Sequence, residues 1–166
     1  MSILKTMRVT KWGEYGILCS LYLAERHGEK SAIGAAEIAE ARRIPIQYTQ
    51  QILHRLRKGN VVKSVRGPHG GFKLSRPPAE TTLKEILFAA EGNTFETVCE
   101  AKDHKNIACD RKHNCGLKFV WEDLQEAINN LLDERTLASV LKAQSTNGHR
   151  ACCEDALKDA VSIKHR

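Results

Sequence analysis

Cys99, Cys109 and Cys115 fall within seventeen residues made mostly of charged and small side chains. A core thiol sits on an apolar face, and this stretch offers almost none, so the thiols are read as chemical groups rather than packing. Nine and then five residues separate them. Those gaps are wide for the structural zinc knuckle, with roughly two to four residues between ligands, and long enough to wrap a polynuclear cluster. The expectation is an iron-sulfur cluster, two-iron or four-iron, since three thiolates and one more ligand suit either. A zinc site, or thiols that sense oxidation with no metal, stays open as the alternative.

The other three cysteines read differently. Cys19 lies on the apolar side of a helical pattern and is expected to be a core thiol. Cys152 and Cys153 are adjacent, and a disulfide between neighbours is strained, so they are expected as free thiols or as a secondary redox pair. Six cysteines with no hydrophobic targeting segment suit a reducing cytoplasm. Residues 1–7 are too short and polar for a signal peptide, and no run reaches the roughly eighteen apolar residues of a membrane span. A chain of 166 residues can bury one core with an appended element.

The elements around the thiols divide by charge. Residues 1–80 hold fourteen Lys and Arg against six Glu, a balance of +8, while residues 81–166 hold twelve against fourteen, a balance of −2. A basic half joined to a mildly acidic one points to a module for a polyanion. Thr10 is a candidate N-cap for a helix to about His27, stopped by Gly28, with Tyr15, Leu18, Leu21 and Tyr22 on its buried side. A short helix over 35–43 is broken at Ile44-Pro45, and a second begins at once, with Pro45 in its first turn. Tyr48, Ile52, Leu53 and Leu56 are expected to face inward. Gln47, Thr49, Gln50, Gln51, His54, Arg55, Arg57 and Lys58 form the outer face, where amides can reach base edges and the cations can hold phosphates. This is a helix-turn-helix pattern. Strands over 61–65 and 72–74 around Arg66-Gly67-Pro68-His69-Gly70-Gly71 make a wing whose thin tip could carry Arg66 and His69 into a minor groove.

A helix capped by Thr81 or Thr82 runs to about Glu91. Beyond the cysteines, Leu117, Val120, Trp121, Leu124, Ile128, Leu131 and Leu132 repeat at helical spacing over a long helix. Such a helix, projecting past a complete winged domain, is expected to pair with its twin in a homodimer, which suits a palindromic operator on double-stranded DNA. The fold class is therefore mainly α with a small β-hairpin, a winged helix-turn-helix domain plus a long C-terminal dimerisation helix. The expected divisions are 1–92 for the DNA-binding domain, 93–116 for the cysteine loop, 117–142 for the dimerisation helix and a short helix after it, and 143–166 for a flexible tail.

The chain resembles the IscR and NsrR group of bacterial winged-helix repressors, which sense iron-sulfur clusters, nitric oxide or iron. The resemblance covers roughly residues 7–141. It rests on Met7-Arg8-Val9-Thr10-Lys11, the run from Tyr48 through Leu56-Arg57-Lys58, the wing Val65-Arg66-Gly67-Pro68-His69-Gly70-Gly71-Phe72, and three cysteines before a long helix. It implies a recognition helix in the major groove and a wing arginine in the minor groove, and so Gln47, Tyr48, Gln50, Gln51 and Arg66 as DNA contacts. IscR itself has equal five-residue gaps and a histidine three residues after the last cysteine, where this chain has Lys118. NsrR-like members take an acidic ligand from the partner's first helix, and that position matches Glu14, which the resemblance makes the preferred fourth ligand ahead of His104 and His113. The function implied is a dimeric DNA-binding regulator whose operator affinity follows its cluster. The alternative is a cofactor-free or zinc-stabilised regulator that answers to thiol oxidation or a partner protein. Nothing in the chain pairs a nucleophile with a base or forms a nucleotide loop, so an enzyme is not expected.

Overall fold

The computed structural model describes residues 10–28, 32–67, 70–92 and 116–146. In chain order the elements are α1 (Lys11–Glu25), α2 (Ala35–Arg42), α3 (Ile46–Lys58), β1 (Val62–Val65), β2 (Gly71–Leu74), α4 (Leu83–Glu91), α5 (Gly116–Glu134) and α6 (Leu137–Thr146). This is the mainly helical winged fold with one small antiparallel hairpin.

Helix α1 is the spine. The Thr10 backbone is extended and its hydroxyl accepts the Trp12 N–H, so Thr10 is the N-cap. The helix ends at Glu25, two residues before His27, and Gly28 follows in a left-handed turn. Cys19, Leu21, Tyr22, Leu23 and Ala24 are buried along it, and α2, α3, α4, α6 and β2 all pack on it. Helix α2 stops at Arg42 because Arg43 turns left-handed at a φ of 52°. Pro45 then stands at the N-cap of α3 rather than inside its first turn, and its carbonyl receives the Thr49 N–H.

The wing pairs Val62 with Leu74, Lys63 with Lys73, Ser64 with Phe72 and Val65 with Gly71. A third backbone segment joins it. The Ile33 N–H donates to the Phe72 carbonyl at 3.1 Å and the Phe72 N–H to the Ile33 carbonyl at 2.8 Å, tying the wing to the connection between α1 and α2. Helix α4 opens with a capping box, in which the Thr82 hydroxyl accepts the Glu85 N–H and the Glu85 carboxylate accepts the Thr82 N–H.

The division expected after residue 92 is not where packing divides. Helix α6 returns to the first module. Leu137 is fully buried in the same core as Cys19, Ile38, Leu56 and Ile86, and its N–H donates to the Thr81 carbonyl while Leu83 donates to Arg135 and Ala138 to Pro78. The helix also continues to Thr146, four residues into the stretch expected as tail. Helix α5 behaves otherwise: it touches α4, and Leu117, Phe119, Val120, Trp121 and Leu131 remain exposed. No helix among the described residues is long and apolar enough to cross a membrane.

Candidate nucleic-acid interface

Helix α3 is held from below by Ile52, Leu53 and Leu56, all fully buried. That anchorage turns Gln47, Gln50, Gln51, His54, Arg57 and Lys58 outward, each exposed as expected. The first turn carries no acid and the last turn carries Arg55, Arg57 and Lys58, so cations gather at the negative end of the helix dipole. Between Glu40 and Glu80 the chain has no carboxylate at all and nine Lys and Arg. Averaging charge over half the chain conceals this acid-free run, which spans α3 and the whole wing.

Three expected contacts stand differently. The sequence pattern puts Thr49 on the outer face, but it is fully buried, and its hydroxyl donates to the Pro45 carbonyl at 3.3 Å. It closes the first turn of α3 and does not face a ligand. The apolar spacing turns Tyr48 inward, whereas it is 46% exposed. Its ring lies 5.5 Å from that of Trp12, tilted by 58°, and 6.2 Å from that of Tyr15, so two aromatic rings of α1 support it from behind. Arg55 is on the outer face, but its guanidinium is engaged: Nη1 donates to the Ala90 carbonyl at 2.7 Å, and the group sits 4.4 Å over the Trp12 ring. The role of Trp12 was missed, because a single aromatic at a helix start carries no periodic signal.

Arg66 leaves β1 exposed at the base of the wing tip, followed by Gly67 at a φ of 127°, a conformation costly for any residue with a Cβ. The Gly70 N–H returns to the Gly67 carbonyl at 2.9 Å. His69 lies outside the described residues.

The candidate metal ligands divide the same way. Cys99, Cys109 and Cys115 lie outside the described residues, as do His104, His113, Cys152 and Cys153. Glu14 stands exposed in the first turn of α1, and its carboxylate takes no hydrogen bond or ion pair from a described residue. Cys19 is fully buried, and burial pushes its thiol up to about 12 against the smaller opposing pull of Arg42, so it is protonated and packed as expected. No group of three His, Cys, Asp or Glu among the described residues is placed to hold a metal ion.

The Rrf2 family model, described as an iron-dependent transcriptional regulator, matches residues 9–143. The transcriptional regulator IscR of Serratia proteamaculans is 32% identical over 138 residues, covering 83% of this chain and 81% of the relative. Among solved structures, IscR of T. potens is similar with a TM-score of 0.68 at 27% identity, over 90% of this chain and 96% of that one. The oxidized form of CymR from Staphylococcus aureus is similar with a TM-score of 0.59 at 25% identity, over 80% and 94% respectively. The family model and the IscR relative are transcriptional regulators and not enzymes. This chain belongs to the Rrf2 family of transcriptional regulators.

Proposed function

We propose that this regulator acts as a homodimer on a palindromic operator and that an iron-sulfur cluster, held by Cys99, Cys109, Cys115 and Glu14 of the partner subunit, sets its affinity. The observation that carries this reading is Glu14: an exposed carboxylate in the first turn of α1 with no described partner, available to a ligand from outside its own module. The donor set fits such a group, since three soft thiolates and one harder oxygen would leave one iron less tightly held than the rest. When bound, the cluster supplies a centre that iron supply, oxygen or nitric oxide can alter. The uncovered apolar side of α5 suits a second copy of this chain.

On DNA, the exposed amides Gln47, Gln50 and Gln51 with Tyr48 would read base edges in the major groove, and Arg57 and Lys58 would hold phosphates. Arg66 and His69 would enter the minor groove from the wing. Two recognition helices must meet two half-sites one helical turn apart, so any change in their spacing changes affinity.

The deciding experiment is an anaerobic absorption spectrum of freshly purified protein, with iron and acid-labile sulfide counted per chain. Broad visible absorbance with matching iron and sulfide, lost in Cys109→Ala and made labile in Glu14→Ala, is the expected result. The similarity to the oxidized form of CymR favours a second reading, in which the thiols respond to oxidation without a metal. A colourless protein that reconstitution cannot colour would select it.

A further inference from the structure

The end of α4 is gripped from two sides. Ala90 and Glu91 are its last residues, and their carbonyls are among those a helix cannot satisfy internally. Arg55 of α3 donates to the Ala90 carbonyl at 2.7 Å, placing a cation at the negative end of α4. The Glu91 carboxylate turns the other way and accepts both the Thr10 N–H at 3.1 Å and the Thr10 hydroxyl at 2.7 Å, placing an anion at the positive end of α1. The space for that carboxylate exists because residue 13 is glycine: a Cβ there would collide with Glu91 and come within 2.7 Å of Leu87. One residue later, Gly92 turns at a φ of 88°, and the cysteine stretch follows it in the sequence.

The grip continues to the DNA face. The Arg55 guanidinium covers Trp12, and Trp12 backs Tyr48 on the exposed side of α3. A displacement of the last turn of α4 therefore has a continuous path of packed and hydrogen-bonded groups to the first turns of the recognition helix, while Glu91 holds α1, which carries Glu14, to the same point.

We propose that Arg55 and Glu91 are positioning residues that couple the last turn of α4 to the recognition helix through Trp12 and Tyr48, so that the state of the cysteine stretch is passed to the DNA-binding face. This rests on the reading of that stretch as the sensor. It also takes Arg55 out of the phosphate-binding set, although it stands on the outer face of α3.

The test uses the full chain and a DNA duplex selected by the wild-type protein from a randomised pool. Affinity is measured across a salt series for the protein reconstituted anaerobically with ferrous iron and sulfide, and again after chelation strips the metal. In the wild type the two affinities differ. In Arg55→Gln and in Glu91→Ala, which removes the oxygen that Thr10 donates to, their ratio falls by about fivefold or to one, the salt slope of Arg55→Gln stays at the wild-type value, and Arg55→Lys, which can still donate to the Ala90 carbonyl, recovers part of the ratio. A loss of helix stability alone would lower the melting temperature and leave the ratio in place. The proposal is overturned if both variants keep the wild-type ratio, or if Arg55→Gln lowers the salt slope by about one, the mark of a lost phosphate contact. Should Arg55→Gln fail to fold, Glu91→Ala decides alone. A wild-type ratio of one overturns the sensor reading, and this coupling with it, whereas a wild-type difference that survives in both variants overturns only the coupling.

Discussion

On a duplex, a glutamine and an arginine on the outer face of α3 would do different work. An amide can satisfy a donor and an acceptor of one base edge together, whereas a guanidinium on a phosphate is indifferent to sequence. Gln50→Ala is therefore expected to cost about 1–3 kcal/mol on the selected operator and little on unrelated DNA, and Arg57→Ala to weaken both alike and lower the salt slope by about one. Fluorescence anisotropy titrations of two duplexes over a salt series separate the two outcomes. The exchange of places between Tyr48 and Thr49 has a simple angular cause. At about 100° per residue, Thr49 lies roughly 15° from the middle of the face defined by Ile52, Leu53 and Leu56, and Tyr48 roughly 90° from it. Hydrophobicity favoured Tyr48 for the core, but position on the helix favoured Thr49, whose hydroxyl finds a carbonyl within its own turn.

At the scale of the element, α4 shows how local chemistry and tertiary contact share one residue. Burial opposes ionisation of Glu85, but hydrogen bonds from Arg76 and from the Thr82 N–H outweigh it and hold the carboxyl below its usual 4.5. A carboxyl depressed in the folded state stabilises fully above the unfolded value and loses that contribution as pH falls through the folded one. Glu85→Gln is thus expected to lower the melting temperature near neutrality, with the gap to wild type closing below about pH 4.5, in thermal unfolding followed from about pH 7 to pH 3. Helix α6 gives the converse case, an element whose local pattern is short and weak but whose position is central. Leu137 is fully buried against the core of the first module. Leu137→Ala should cost about 2–5 kcal/mol in chemical denaturation, as a cavity in that core, although the residue lies far beyond the wing in sequence. Truncation before α6 would open the same core.

At the scale of the whole molecule, α5 is the element that the chain does not use for its own core. Leu131 is 55% exposed, with Leu117, Phe119, Val120 and Trp121 exposed toward the other end of the helix. Exposed apolar side chains gathered on one helix suit the second copy of the chain proposed above. Leu131→Glu, which sets a charge into that side, is expected to shift the protein toward monomer in sedimentation velocity while leaving its helical circular dichroism in place.

The periodicity of α1, α3 and α5, the cap at Thr10, the glycine-rich wing and the cysteine spacing are all local patterns, and the chain alone determined them, whereas the choice of Thr82 over Thr81 as the cap of α4 came from the structure. So were the exposed amides of α3 legible, because a helix whose one side is apolar must turn its other side out. The return of α6 into the first module, the third backbone segment at Ile33 and the engagement of Arg55 by Ala90 join residues far apart in the chain, and no short-range period encodes such pairings. Arg55 is the clearest instance: its charge and its place on the helix are written in the sequence, but the carbonyl that occupies it belongs to another helix, and only the packing of α3 against α4 brings the two within hydrogen-bond reach.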